Sequence, residues 1–272
     1  MLRTIVSSEG SRQAIPGAVG RSKTTLAQYV KSELAKSRYI AAEEPVSVGS
    51  ADTASELLIR ILSSVYQTVL ANGDATTAEC EPMNVARQLL RAFQTYGGSV
   101  SIGLPGGASI GGGISSSFVT GPAALSVLAP ELLRQIALVA QEHLGAAGVI
   151  IHLNNLENLS EADAERAARI VRDLRDIALL VPGLHYLLVG TDDAVRTIVQ
   201  SQPQLRSVFH VLPPLAPLSN DEVLELLERR YAESPRVCRR LQPLRDWGHE
   251  TGKEVLPRGA GAGGSDGVRA RG

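Results

Sequence analysis

The fold of this chain is decided by the stretch GAVGRSKTT, residues Gly17–Thr25, and by the run LAQYV, residues Leu26–Val30, that follows it. Glycines at the start, a lysine with two threonines at the end and a helix-like run afterwards come in the order of a phosphate-binding loop. Glycines let backbone N–H groups turn toward a phosphate, and the N-terminus of the helix adds a positive dipole. The lysine contacts the outer phosphates and a threonine hydroxyl binds magnesium. The stretch therefore predicts a nucleotide loop; the alternative is a Gly/Ser loop that caps an ordinary helix.

The composition of the chain limits the classes of protein to which it can belong. The 272 residues are 44% hydrophobic and 20% charged, which is enough for one large α/β domain or for a domain with a small appendage. The net charge of -1 argues against extensive coating by nucleic acid. Cys80 and Cys238 have no metal or redox spacing, so reduced thiols are expected. The segment Met1–Val6 lacks a signal-peptide apolar region and no apolar run is long enough to span a bilayer, which predicts a cytoplasmic protein without membrane contact.

Strand and helix patterns alternate along the chain, which predicts βαβ units and a mostly parallel sheet flanked by helices. The predicted strands are Arg3–Ser7, Pro45–Val48, Gly148–Leu153 and His185–Val189. The predicted helices are Thr24–Lys36, a segment capped by Asp52 or Thr53 that ends at Asn72, then Pro82–Tyr96, Leu125–Leu144, Glu161–Leu180, Ala194–Ser201 and Glu222–Tyr231.

The first strand admits two interpretations. Either Gln13–Ile15 leads directly into the loop through Pro16, or the strand is Thr4–Val6 and the loop is unusually long.

Three regions differ in character and predict the domain organisation. Residues 1–233 carry the regular patterns and form one predicted domain. Residues 97–122 are rich in Gly and Ser, and we favour a hairpin with a flexible tip over a mobile loop. Residues 234–272 are basic and Gly-rich with little apolar periodicity, which predicts a loosely ordered tail.

Three further features follow the loop in a fixed order. The apolar strand Gly148–Leu153 ends in the pair Asn154-Asn155, and a second strand ends in Gly190-Thr191. Arg206 then precedes the apolar segment at 208–212. With the Gly17–Thr25 stretch these features resemble the P-loop ATPases of the AAA+ and STAND-like branch, closest to the initiator and origin-recognition ATPases, over roughly residues 1–231. The resemblance implies a three-layer P-loop NTPase fold with the ligand at the carboxyl ends of the strands.

The resemblance also implies ATP and Mg²⁺ as ligands. The nucleotide-binding residues carried over are Gly17, Gly20, Ser22, Lys23, Thr24 and Thr25, and the metal-binding residues are Thr24 and Asn154. The stretch departs from the Walker A motif at Ser22, because the family has glycine immediately before the lysine. No guanine-reading motif is present, which leaves ATP as the expected nucleotide.

The candidate catalytic residues show a second departure. In the family the strand at 148–153 ends in an aspartate and a glutamate, whereas this chain has Asn154 and Asn155. An amide brings no negative charge and does not act as a base near neutral pH, so hydrolysis is expected to be weak or absent. Glu157 is close enough in sequence to substitute. By resemblance Thr191 senses the γ-phosphate, and Arg206 is either an arginine finger or a surface residue.

The functional prediction is an ATP-binding switch or assembly module with a protein partner or self-association. One alternative is a scaffold with a P-loop fold that binds no nucleotide. The other is a DNA-associated ATPase, for which four tail arginines are the only local support: Arg236, Arg239, Arg240 and Arg245. Among the remaining polar residues, His152 is expected to be a core histidine with its hydrogen bonds made, and Asp192-Asp193 are expected to cap the next helix.

Overall fold

The structure, a computed structural model, describes residues 1–20, 22–49, 51–96, 122–154, 156, 160–216 and 218–231. Packing divides the chain into two units, Met1–Ala216 and Pro217–Gly272. The predicted hairpin lies outside the described residues apart from Pro122, and the predicted tail lies wholly outside them. The predicted domain limits of 1–233 and 234–272 stay a prediction.

The elements alternate as the sequence predicts. The helices are α1 (Leu2–Val6), α2 (Lys23–Ala35), α3 (Ala54–Asn72), α4 (Ala75–Glu79), α5 (Glu81–Tyr96), α6 (Pro122–Leu144), α7 (Glu161–Asp173), α8 (Asp192–Val195), α9 (Pro203–Arg206) and α10 (Asn220–Tyr231). The strands are β1 (Arg12–Pro16), β2 (Tyr39–Ala41), β3 (Val46–Ser47), β4 (Gly148–Asn154), β5 (Leu184–Gly190) and β6 (His210–Val211). Turns of π-helix at Arg175–Leu179 and Arg196–Gln200 continue α7 and α8.

Six strands form one sheet in the order β2-β4-β5-β1-β6, with β3 also paired to β4. Every described pair is parallel. Because β2 pairs with the start of β4 and β3 pairs with its end, the two short strands together make one interrupted edge. The predicted α/β class, a mostly parallel central sheet flanked by helices, is confirmed.

The two faces of the sheet carry separate apolar clusters, which gives the domain its three layers. On one face Val149 and Ile151 of β4 pack into the large cluster that holds α3, α5, α6 and α7. On the other face Ile150 of β4 and Leu187 of β5 pack against α1 and α2. Alternate residues of one strand are thus buried on opposite faces, which is why the central strands are continuously apolar.

The beginning of the chain corrects the sequence prediction. Residues Leu2–Val6 form a short helix with Ile5 fully buried, so the predicted strand at Arg3–Ser7 is wrong. The first strand is Arg12–Pro16, paired with β5 on one side and β6 on the other. The interpretation with an unusually long loop is therefore wrong as well, and β1 leads directly into the loop.

Helix α3 shows how local sequence sets an element. Thr53 Oγ1 accepts a hydrogen bond from the Glu56 amide at 3.2 Å, and a Glu56 carboxylate oxygen accepts from the Thr53 amide at 2.8 Å. This capping box satisfies two amide donors at the start of the helix. The helix ends at Asn72, before Gly73, as predicted.

In the second unit, α10 begins with the same kind of reciprocal pair. Ser219 Oγ accepts from the Glu222 amide at 3.2 Å, and Glu222 accepts from the Ser219 amide at 2.7 Å. Hydrogen bonds from the Ser219 amide and from its side chain to the carboxylate lower the pKa of the Glu222 carboxyl. The helix thus begins at Asn220, two residues before the predicted start at Glu222, and ends at Tyr231 as predicted.

Candidate functional site

The candidate loop joins the carboxyl end of β1 to the amino end of α2. β1 ends at Pro16 and α2 begins at Lys23. Within the loop Gly20 has φ 79° and Ser22 has φ 54°, so both have left-handed backbone; Arg21 is not described. Parallel α/β sheets bind their ligands outside the carboxyl ends of the strands, which is where this loop lies.

Lys23 is held inside the loop. The residue is only 3% exposed although it carries an ammonium group. Its stem passes over Gly17, where an added Cβ would lie 3.4 Å from Lys23 Cδ. Lys23 Nζ donates a hydrogen bond to the carbonyl oxygen of Ala18 at 2.8 Å. The lysine therefore points back into the loop and away from bulk water, and its ammonium is placed where loop groups converge.

Ser22 occupies the position at which this sequence departs from the family motif. It is the N-cap of α2, with φ 54° and ψ 25°, and its side chain makes no capping hydrogen bond. Left-handed backbone costs a residue with a Cβ about 1–2 kcal/mol and costs glycine little. The chain therefore keeps the backbone conformation that glycine favours while carrying serine.

The first turn of α2 has donors available to an anion. No side chain caps its N-terminus, and the first backbone amides of a helix have no partner within the helix. Thr24 and Thr25 are exposed in that turn, and within the described residues their hydroxyls make no side-chain hydrogen bond. The amides and hydroxyls, with the helix dipole, form a surface of donors suited to phosphate.

Asn154 ends β4, two strands away from β1. Its backbone carbonyl accepts a hydrogen bond from the Val48 amide at 3.0 Å. Its side-chain Oδ1 is buried, and the described part of the structure gives it no hydrogen-bond partner. The other two candidates from this segment, Asn155 and Glu157, lie outside the described residues. Their proposed roles stay predictions.

Thr191 leaves the sheet beside the loop. Gly190 is in register with Pro16, so the residues that follow β1 and β5 emerge at the same edge. Thr191 Oγ1 accepts a hydrogen bond from the Ala194 amide at 3.3 Å and caps α8. The structure thus brings the start of the loop and Thr191 together, with Asn154 on the adjacent strand. The sensing role of Thr191 stays a prediction.

Arg206 does not join this cluster. It ends α9 ahead of β6, and β6 pairs with β1 in parallel, Gln13 opposite His210. Arg206 therefore lies before the amino end of β6, whereas the loop lies past the carboxyl end of β1. Its side chain is exposed. An arginine finger at this position would have to act on a second molecule and not on the loop of its own chain.

A buried polar layer lies under α2, and most of its residues were not predicted from the sequence. His152 is fully buried, and neither ring nitrogen has a partner among the described residues. Burial, helped by the nearby Lys31 charge, lowers the pKa of His152 to about 4. Lys31 is buried too; its Nζ donates to the Ala42 carbonyl at 2.8 Å, and burial lowers its pKa. His152 is a core histidine as predicted, but the prediction that its hydrogen bonds are made is wrong for the described part of the chain, which gives neither ring nitrogen a partner.

The second histidine of this layer is His185, on β5. Its Nδ1 accepts a hydrogen bond from the Ser11 amide at 3.2 Å, and its ring meets Tyr39 edge to face at 5.1 Å. Burial, helped by the Arg12 charge, lowers the pKa of His185 to about 4. One sequence signal was available for this layer: Lys31 interrupts the apolar stripe of α2 at the spacing of Ala27, Val30 and Leu34.

A cavity of about 410 Å³ lies elsewhere, between the start of α3 and the outer side of α7. Its two acidic groups are engaged: Asp52 pairs with Arg60, and Asp173 accepts from Arg172 at 3.0 Å. None of the loop residues lines it. In the described ranges, no group of three or more His, Cys, Asp or Glu side chains could hold a metal ion. Nor is any helix in those ranges both long and apolar enough to cross a bilayer.

No protein-family model matches the chain, and no curated protein matches it. Among solved structures, the chain is similar to the Aeropyrum pernix ORC2 protein in its ADP form, with 18% sequence identity and a TM-score of 0.43. The alignment covers 85% of this chain and 49% of that chain, so this chain spans about half the length of that structure. A likeness of this degree identifies neither a family nor a ligand for this chain.

Proposed function

We propose that this chain is an ATP-binding, AAA+-like P-loop protein that acts as a nucleotide-dependent switch or assembly module, with weak or absent ATP hydrolysis. One observation carries the proposal. A lysine that is 3% exposed lies in the loop between the first strand and its following helix, with its Nζ 2.8 Å from a loop carbonyl. This places the ammonium inside a loop at the N-terminus of a helix, and phosphate is a ligand that such a loop suits.

The loop residues have distinct tasks in this proposal. The backbone amides at Gly17–Gly20 and the first amides of α2 donate to phosphate oxygens, and the left-handed backbone at Gly20 and Ser22 turns the chain around them. Lys23 exchanges its hydrogen bond with Ala18 for one with an outer phosphate. The exchange alters the loop when nucleotide binds, and that change is the switch.

The oxygens near the loop fit a divalent cation held mainly by the nucleotide. The Thr24 hydroxyl and the unpartnered Asn154 Oδ1 are hard, neutral donors of the type that Mg²⁺ accepts. Magnesium would neutralise phosphate charge there. Neither donor is an anion, so the protein's own share in holding the cation is small.

Two features support slow turnover. Asn154 cannot take a proton from an attacking water, because an amide is not a base near neutral pH. Arg206 lies at the amino end of the sheet and supplies no positive charge to its own loop. The switch would therefore report nucleotide occupancy to a protein partner or a second copy of the chain.

The test is equilibrium binding of a fluorescent ATP analogue with magnesium, comparing wild type with Lys23→Ala. We expect a Kd in the tens of micromolar, on the order of 6 to 7 kcal/mol, and a loss of at least about tenfold in the variant. The matched control is Lys36→Ala, which removes an exposed lysine at the end of the same helix. No binding by folded wild type contradicts the proposal.

The scaffold is the second candidate, and the hydrogen bond from Lys23 to Ala18 also favours it, since the loop can satisfy its own lysine. Partner binding that is unchanged in Lys23→Ala would support the scaffold. The DNA-associated alternative rests on arginines outside the described residues; salt-dependent DNA binding that is lost on deleting the chain after Ser234 would support it.

A further inference from the structure

At the candidate site, the described residues at the ends of β1 and β4 carry none of the negative charge that attracts a divalent cation. β4 ends in Asn154, and the loop from Gly17 to Gly20 has no acidic residue. Among the described residues that directly follow β1, β4, β5 and β6, the carboxylates are Asp192 and Asp193, at the start of α8.

These two carboxylates differ in availability. Asp193 accepts a hydrogen bond from Arg196 at 2.8 Å and forms an ion pair with it. Asp192 is exposed, and the described part of the chain offers its carboxylate no hydrogen-bond or ion-pair partner. One aspartate is therefore held by an arginine, while the other is available to a ligand.

Asp192 lies close to the loop by the geometry of the sheet. Gly190 is in register with Pro16, and α8 contacts β1 as well as β5. Two Cα steps of about 3.8 Å beyond Gly190, added to a strand spacing of about 4.8 Å, place the Asp192 Cα no more than about 12 Å from that of Pro16. Asp192 therefore lies at the same edge of the sheet as the loop.

We propose that Asp192 supplies the negative charge that Asn154 lacks, and that its carboxylate accepts hydrogen bonds from the waters of a nucleotide-bound divalent cation. This inference rests on the proposed function. Mg²⁺ keeps several waters and is bound through one or two carboxylates plus substrate phosphates. One carboxylate that follows β5, the strand paired with β1, instead of one at the end of β4, meets that requirement.

The effect of the Asp192 carboxylate on nucleotide affinity should have opposite signs with and without the cation. With Mg²⁺ the Asp192 carboxylate attracts the complex, so its removal weakens binding. Without Mg²⁺ the same carboxylate repels the triphosphate, so its removal leaves binding unchanged or strengthens it. A residue that only supported the fold of the loop would change both affinities in the same direction.

The experiment measures the Kd of the fluorescent ATP analogue in EDTA and across a MgCl₂ titration, for wild type, Asp192→Asn and Asp193→Asn. We expect Asp192→Asn to reduce the strengthening by Mg²⁺ about fivefold or more, with affinity in EDTA equal to wild type or higher. Asp193→Asn, one residue along and already ion-paired, should behave as wild type. Electron paramagnetic resonance of Mn²⁺ gives a second readout: the nucleotide complex of Asp192→Asn should bind Mn²⁺ more weakly.

The outcomes separate this inference from the proposed function. Failure of folded wild type to bind nucleotide in either condition overturns both. Nucleotide binding with an equal effect of Mg²⁺ in wild type and Asp192→Asn overturns the inference alone. Equal losses in the two aspartate variants also overturn it, because they indicate a general effect of surface charge. Thermal unfolding of each variant checks that α8 is intact.

Discussion

At the scale of single residues, two neighbours in the loop combine a candidate functional group, the ammonium of Lys23, with a strained backbone at Ser22. Lys23 is buried in the loop, and Ser22 beside it keeps left-handed backbone without a capping hydrogen bond. The same two residues therefore carry the loop's cation and its least favourable backbone. Sites of this kind are where sequence preferences and the needs of the fold disagree.

Replacing Ser22 by glycine should relieve that strain. Relief of about 1–2 kcal/mol is offset by about 0.5–1 kcal/mol of added entropy in the unfolded chain, so we expect the free energy of unfolding to rise by up to about 1.5 kcal/mol. Urea denaturation measures it. Ser22→Ala keeps the Cβ and removes only the hydroxyl, so it should not share the gain; an equal gain in both variants would count against backbone strain.

The buried histidines predict an acid dependence of stability. The pKa of His152 is lowered to about 4, while in the unfolded chain it is near 6.5. As pH falls below 6.5 the unfolded chain takes up a proton and the folded form does not until about pH 4, so unfolding becomes more favourable in that window. Between pH 7 and pH 5 this amounts to about 2 kcal/mol. His185 should contribute in the same direction.

His152→Leu tests this assignment. The variant should lose about half of the histidine-linked destabilisation between pH 7 and pH 5. At pH 7 it should be as stable as wild type or more so, because it removes two buried nitrogens that have no hydrogen-bond partner among the described residues. Denaturation curves at the two pH values measure the difference. His210→Leu is the control, since His210 is exposed. An unchanged pH dependence in His152→Leu would refute the assignment.

At the scale of elements, helix starts follow local sequence closely. Thr53, Ser160 and Ser219 each accept a hydrogen bond from an amide three residues on. The ends follow it less well. The predicted helix from Glu161 to Leu180 turns into π-helix after Asp173, where the Tyr186 hydroxyl donates to the Ala178 carbonyl at 3.0 Å and Arg12 donates to that of Leu179. Partners on remote strands decide that ending.

The cap of α3 gives a prediction at this scale. Thr53→Ala removes the acceptor for the Glu56 amide and should lower the free energy of unfolding by about 1 kcal/mol. Ser55→Ala is the control two residues further on, and it should be neutral or slightly stabilising because alanine is the better helix former. A Thr53→Ala variant as stable as wild type in thermal denaturation would show that this capping box adds little.

At the scale of the whole molecule, the sheet order places the site. β1 lies between β5 and β6, far from β2 in the sheet although β2 is the next strand along the chain. The carboxyl ends of β1 and β5 therefore meet at one edge, with the loop, Thr191 and Asp192 on it. Arg206 is on the same chain but at the other end of the strands. The loop and the residues after β5 are close together because β1 and β5 are neighbours in the sheet.

The amino-acid sequence by itself determined the strands β4 and β5, the long helices and the residue types of the loop. Apolar periodicity and capping residues are local patterns, so they can be recognised in the sequence without knowing which strands pair. Tertiary structure decided that β1 is Arg12–Pro16 and not the segment at Thr4–Val6, because pairing with β5 and β6 selects it. It also decided that Lys23 and His152 are buried and that Ser22 is left-handed. Each of these depends on which remote groups surround a side chain, and no local pattern records those surroundings.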